Sequence, residues 1–149
     1  MITGGTEYFD ELDTVLEFDP AANSFATRTK LTNARSSHAS ICVSGSVYVL
    51  CGFASGSALN SIECMEEGTT HWTDYGKTSG IYVHATDCHE AGDLFVTGLG
   101  ASVIERITIA TKISVTFAIL GVAGSPLFTH KQLPTLLNDS GQLLFLEED

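Results

Sequence analysis

The chain has 149 residues and a formal net charge of −11, with a pI near 4.6 and a mass of 15.9 kDa that suits one domain. That charge argues against nucleic-acid phosphates and anionic lipid as partners, because the Coulomb term repels both, and it favours a basic protein or cationic peptide. The longest apolar stretch, residues 113–128, is interrupted by Ser114, Thr116, Gly121, Gly124, Ser125 and Pro126, too short and too broken for a membrane span of about 20 residues.

Met1 leads directly into Ile2-Thr3-Gly4-Gly5 without a charged and apolar leader, so a cytoplasmic location is expected. Alternation of apolar residues and β-branched content, punctuated by Gly, Ser, Asn and Asp clusters, predicts strands along the whole chain. The first group falls near residues 1–5, 12–18 and 24–29. A second group covers 39–43, a turn at Ser44-Gly45-Ser46, then 47–51, 59–66 and 71–75. A third covers 81–87, 93–97, 102–109 and 113–119, and two further strands lie near 133–137 and 142–146. Cys42, Cys51, Cys64 and Cys88 lie in or beside these strands without the paired short spacings of a zinc site, and are read as reduced, buried thiols.

The groups repeat. Gly5 to Gly52 and Phe25 to Trp72 each span 47 residues. Gly45, Gly92 and Gly141 follow at intervals of 47 and 49, and each precedes an apolar run: Val47-Tyr48-Val49-Leu50, Leu94-Phe95-Val96 and Leu143-Leu144-Phe145-Leu146. The residues Gly4-Gly5, Phe18, Asp19-Pro20 and Asn23, followed by Arg35 and His38, resemble a kelch repeat. In that family a glycine pair closes a strand, a strand with an aromatic residue and often Asp-Pro follows, and Trp comes next. Phe25 stands in the Trp position of the first copy. In the second copy Gly52 and Trp72 fit, while Cys51 replaces the first glycine and Met65 the aromatic residue. Beyond residue 76 the resemblance rests on spacing, with Thr97-Gly98 where the glycine pair belongs. The Gly-His and Trp-Asp dipeptides of WD repeats are missing.

A period of this length with strand signals is that of propeller blades. The resemblance therefore implies an all-β, kelch-type β-propeller that is incomplete, with about three four-stranded blades plus part of a fourth. Its repeat units are about 1–38, 39–80, 81–132 and a truncated 133–149, and the first lacks its innermost strand. An uncovered blade face of several hundred Å² forgoes on the order of 10 kcal/mol of burial. Self-association, or docking to further propeller blades, is therefore expected.

The resemblance also implies protein binding on the face where the loops after second and fourth strands emerge. On the loop at residues 6–11, Tyr8 and Phe9 supply large anchors and Glu7, Asp10 and Glu11 supply charge. Phe53 occupies the equivalent place one repeat later. Arg35 and Ser37 precede an innermost strand near the expected channel rim, where the arginine fork either grips a partner's carboxylate or makes an ion pair or carbonyl bond within the blade junction. Tyr82 stands at the corresponding junction of the next repeat, beside Ile81 and His84. His38 is read as structural and Trp72 as packing between blades. Gly4, Gly5, Gly52 and Gly98 permit a tight backbone at strand ends. Cys88-His89-Glu90 cannot wrap a metal without distant ligands, and no nucleophile with a positioned base can be picked out. The expected function is a non-enzymatic protein-protein interaction module without metal or cofactor. Its alternatives are a fragment of a kelch-propeller enzyme, such as a sugar oxidase or an isomerase, and a truncated structural remnant.

Overall fold

The structure, a computed structural model, describes residues 1–83, 86–99, 101, 103–118, 127–130, 133–137 and 143–145. Among them no helix forms, so none is long and apolar enough to cross a membrane. The strands are β1 (Ile2–Thr3), β2 (Thr6–Glu7), β3 (Asp10–Glu11), β4 (Val15–Asp19), β5 (Ser24–Arg28), β6 (Ala39–Val43), β7 (Ser46–Leu50), β8 (Phe53–Ala54) and β9 (Ser57–Ala58). They continue as β10 (Ser61–Met65), β11 (Thr73–Lys77), β12 (Thr86–Glu90), β13 (Asp93–Thr97), β14 (Val103–Thr108), β15 (Ile113–Ala118), β16 (Leu127–His130), β17 (Leu133–Leu137) and β18 (Leu143–Phe145).

Hydrogen bonding gathers them into four antiparallel sheets in chain order, none closed on itself. The first sheet has the order β1-β4-β5, the second β6-β7-β10-β11, the third β12-β13-β14-β15 and the fourth β16-β17-β18. The apolar runs at 47–50 and 94–96 thus lie in different sheets, as expected. Separate two-stranded hairpins form from β2 with β3 and from β8 with β9, where the sequence suggests only loops. The first strand of the third sheet starts at Thr86 rather than 81, because Tyr82 and Val83 spend their carbonyls on Gly52 and Leu99 N–H groups. The last sheet gains a strand, β16, at the end of the stretch tested above as a membrane span.

Local chemistry explains the turns. Ser44-Gly45 and Ala91-Gly92 link adjacent strands with φ of +48°, +80°, +49° and +91°, and two successive positive φ values are the type I′ geometry that suits the right-handed twist of a hairpin. Between β4 and β5 the Asp19 carboxylate accepts the Ala21 and Ala22 N–H groups at 2.8 and 3.2 Å, while Pro20 presets the turn.

Strand alternation divides the core between the two faces of the second sheet. Tyr48, Leu50, Ile62 and Cys64 pack with Leu94, Val96 and Ile107 of the third sheet. Val47, Val49, Met65 and Trp72 pack on Val15 and Leu31, which belong to the first sheet and the segment after it. The Trp72 indole N–H also donates to the Thr29 carbonyl at 2.9 Å. β12 runs beside both β6 and β16, so the leading strands of the second, third and fourth sheets adjoin. Beside β6, where the first sheet ends at β1 among the described residues, a cleft of about 630 Å³ is lined by Met1, Arg28, Cys42, Val47 and Met65 among others. Cys42 is accordingly exposed, against expectation, whereas Cys51 and Cys64 are buried free thiols. The Cys88 side chain lies outside the described residues.

Candidate interaction site

Two glycine-bearing corners carry the chain out of the sheets. Gly4 and Gly5 take φ of +57° and +113°, and Cys51 and Gly52, each 47 residues on, take +59° and +97°. At both corners the second residue's N–H donates across to the next connecting segment: Gly5 to Arg35 O at 2.9 Å and Gly52 to Tyr82 O at 3.0 Å. The return bonds match too, Leu12 N–H to Gly5 O and Leu59 N–H to Gly52 O, both 2.8 Å. A Cβ at Gly52 would collide with the Ser36 carbonyl, so only glycine allows this approach. The expected glycine pair is, in the second repeat, a cysteine held in a left-handed conformation. Gly98 likewise sits with its backbone against Tyr82 and Val83.

Each corner launches a hairpin. In the first, Thr6 pairs with Glu11 and Glu7 with Asp10, which leaves Tyr8 and Phe9 at the tip, 92% and 97% exposed. The second pairs Phe53 with Ala58 and carries Ser55-Gly56 at its tip. The second hairpin's tip is tied to the base of the first, because Ser55 N–H donates to the carboxylate of Glu11, which pairs with Thr6. Phe53 is half-buried and bridged to Ser36 by reciprocal backbone bonds of 2.8 and 2.9 Å. Ser37, half-buried at φ +51°, follows Ser36. Tyr8, Phe9, Asp10, Phe53 and Ser37 thus belong to one end of the first two sheets, with Glu7 and Asp10 exposed beside the aromatic pair.

Arg35 and Tyr82 do not join that surface. Arg35 is fully buried, and its fork grips a carboxylate of its own chain. Nη2 donates to Glu63 Oε1 at 2.6 Å and Ser61 Oγ at 3.0 Å, while Nη1 donates to the Cys51 and Ser61 carbonyls at 2.9 and 3.2 Å. Tyr82, 2% exposed, donates its hydroxyl to Glu105 at 3.0 Å. The two are versions of one device. Glu63 accepts the Thr32 and Asn33 N–H groups at 2.6 and 3.1 Å as well as Arg35. Glu105 accepts the Ser79 and Gly80 N–H groups at 2.7 and 3.3 Å as well as Tyr82, and the Ser114 hydroxyl besides. Thr32, Asn33 and Arg35 lie 47 residues before Ser79, Gly80 and Tyr82. In the second and third sheets, then, a buried carboxylate on the third strand pins the segment that leads into its own sheet.

Burial pushes the Glu63 carboxyl up, but the Thr32 N–H and the Arg35 guanidinium outweigh it and hold it below the ordinary carboxylate range. Burial, reinforced by Glu105, raises the Tyr82 phenol far above neutrality. Burial also pushes the Cys51 thiol up to about 11, so it stays protonated and inert. His38, whose Nε2 lies 2.9 Å from the Thr3 hydroxyl, is held below its ordinary value first by burial and then by Arg35.

Glu63 and Glu105 are the residues that the sequence reading missed. The available signal is a carboxylate in an otherwise apolar strand, Ile62-Glu63-Cys64 and Ile104-Glu105. The side chains of Cys88, His89 and Glu90, and all of His84, lie outside the described residues. No protein-family profile matches the chain, and no curated protein matches it.

Proposed function

We propose that the chain is a cytoplasmic kelch-type β-propeller unit that binds a basic protein partner, without catalysis, through the adjacent hairpins at 6–11 and 53–58. The propeller reading draws support from the four sheets in chain order, from the adjoining leading strands of the last three and from a backbone corner that recurs after 47 residues. One observation carries the binding reading: Tyr8 and Phe9, 92% and 97% exposed, crown a hairpin whose base is hydrogen-bonded through Gly5 to Arg35 and Leu12. Large aromatic side chains left almost wholly in water at a hairpin tip are poor for solubility and strong as anchors, since aromatic residues dominate interface energy. Glu7 and Asp10 flank them with negative charge and the molecule carries −11 overall, which steers a cationic partner and speeds its approach.

The test compares wild type with Tyr8→Ala/Phe9→Ala in affinity capture followed by quantitative mass spectrometry. The reading requires a basic protein whose recovery falls at least about tenfold with the double variant, the loss of about 1.4 kcal/mol or more that a pair of anchors carries. Undiminished recovery of every captured protein would overturn it.

A further inference from the structure

The cleft between the first two sheets gathers sulfur. It opens beside the turn before β7, at the opposite end of that strand from the 53–58 hairpin. Both of the chain's methionines, Met1 and Met65, line it. So does Cys42, a free and exposed thiol, whereas Cys51 and Cys64 are buried in the core that the second and third sheets share.

Register brings these groups together. Cys42 pairs with Val47 and Val47 with Met65, so the three form a row across β6, β7 and β10, and directly paired residues point to one face. That face looks toward the first sheet, because Val47 and Met65 pack with Val15 and Leu31. Two strand spacings separate the Cys42 and Met65 Cα atoms by about 10 Å. A thiolate on a short arm and a thioether on a long one can close that span on a single ion above Val47, with metal–sulfur bonds of about 2.3 Å. Met1 comes from the other wall. It stands two residues before Thr3, whose hydroxyl lies 2.9 Å from His38 in the segment entering β6, so alternation turns Met1 toward the second sheet as well.

The donor set selects the ion. Among the described residues no group of three His, Cys, Asp or Glu side chains could hold a metal, so the cages usual for zinc, calcium and magnesium do not form there. The carboxylate in the cleft, Glu17, is paired with Arg28, and apart from Val47 the remaining lining is threonine and glycine. One thiolate and two thioethers are soft donors, which favour Cu(I) over harder divalent ions. Charge agrees with that choice, since a thiolate neutralises a monovalent cation and the Glu17–Arg28 pair adds no net charge.

We propose that the cleft binds a soft monovalent cation, Cu(I), through Cys42 Sγ and the Sδ atoms of Met65 and Met1. The Cys42 thiol releases its proton to solvent as the copper–sulfur bond forms, and the copper stays Cu(I) throughout. Because Met1 belongs to the first sheet's wall and the other two ligands to the second sheet, the bound ion ties the two sheets together. The site is separate from the hairpin surface, and neither reading needs the other.

Anaerobic titration of the full chain with Cu(I), in competition with a chromogenic Cu(I) chelator, tests the proposal. The expected result is a single Cu(I) per chain, with affinity falling at least about tenfold in Cys42→Ser and again in Met65→Leu. Cys42 is exposed and Leu conserves the volume of Met, so both variants should keep the fold, as circular dichroism would show. X-ray absorption of the loaded wild-type chain is a second readout that needs no variant. It should find sulfur neighbours alone, at about 2.3 Å. Absence of binding, unchanged affinity in Cys42→Ser, a loss in Cys42→Ser without one in Met65→Leu, or nitrogen and oxygen neighbours in place of the thioethers would each overturn the proposal.

Discussion

At the scale of single residues, the most consequential side chain is Glu63, a carboxylate 2% exposed that joins Arg35 to the Thr32 and Asn33 amides. Removing one member of a buried ion pair leaves the other uncompensated, at a cost of about 3–5 kcal/mol. Glu63→Leu is expected to fall in that range by urea unfolding. Arg35→Met should cost less, because the carboxylate keeps its backbone donors. Acid should expose the same network in two stages. His38 has a folded pKa below its ordinary 6.5, so the unfolded chain takes up a proton first and stability falls as pH drops through 6.5 toward the folded value. Glu63, also lowered, adds stability above the ordinary carboxylate value of 4.5 and loses it as pH falls through its folded pKa. His38→Gln should flatten the upper stage alone, measured as unfolding free energy against pH. An unchanged profile would mean that His38 titrates alike in both states.

At the scale of elements, hairpin turns are where local sequence and geometry disagree. Ala91 sits at φ +49° in the turn between β12 and β13, a left-handed conformation that Asn tolerates and Ala does not. Ala91 is exposed, so Ala91→Asn should stabilise the protein by about 0.5–1 kcal/mol, read as a rise in melting temperature of a few degrees, whereas Ala91→Val should lower it. Strands of five residues were legible in the sequence because alternation and turn glycines mark them. The hairpins of β2 with β3 and β8 with β9 were not, since two-residue strands hold no period to detect. The junctions were half legible. Arg35 stood out as a chemical group, but its acceptor lies 28 residues further along on another strand, and a glutamate in a strand reads as a solvent-facing residue until the sheet beside it is known. In the sequence Phe18 and Phe25 stand out only as repeat-motif positions. Their exposure depends on what lies against the first sheet, which no local pattern encodes.

At the scale of the whole molecule, each described interface joins neighbouring sheets, so stability accumulates layer by layer as in repeat proteins. The first sheet is held by a small cluster, Val15 and Leu31 against Val49 and Trp72, whereas the second and third share a larger one. The weak layer should be separable. Trp72 is the chain's single tryptophan, and its indole spans that interface, so its fluorescence reports the first layer while far-UV circular dichroism reports all of them. Val15 is fully buried in that cluster, so Val15→Ala should cost about 2–3 kcal/mol at that interface. In wild type the two signals are expected to change together with urea, because loss of the Val15, Leu31, Val49 and Trp72 cluster unfolds the sheet that Trp72 braces. In Val15→Ala the fluorescence transition should move to lower urea than the circular dichroism transition, with early hydrogen exchange of β4 and β5 amides. Coincident transitions in the variant would mean that the sheets unfold as one cooperative unit, and that the coupling runs through the polar bonds of the Arg35, Ser61 and Glu63 junction rather than through apolar contact.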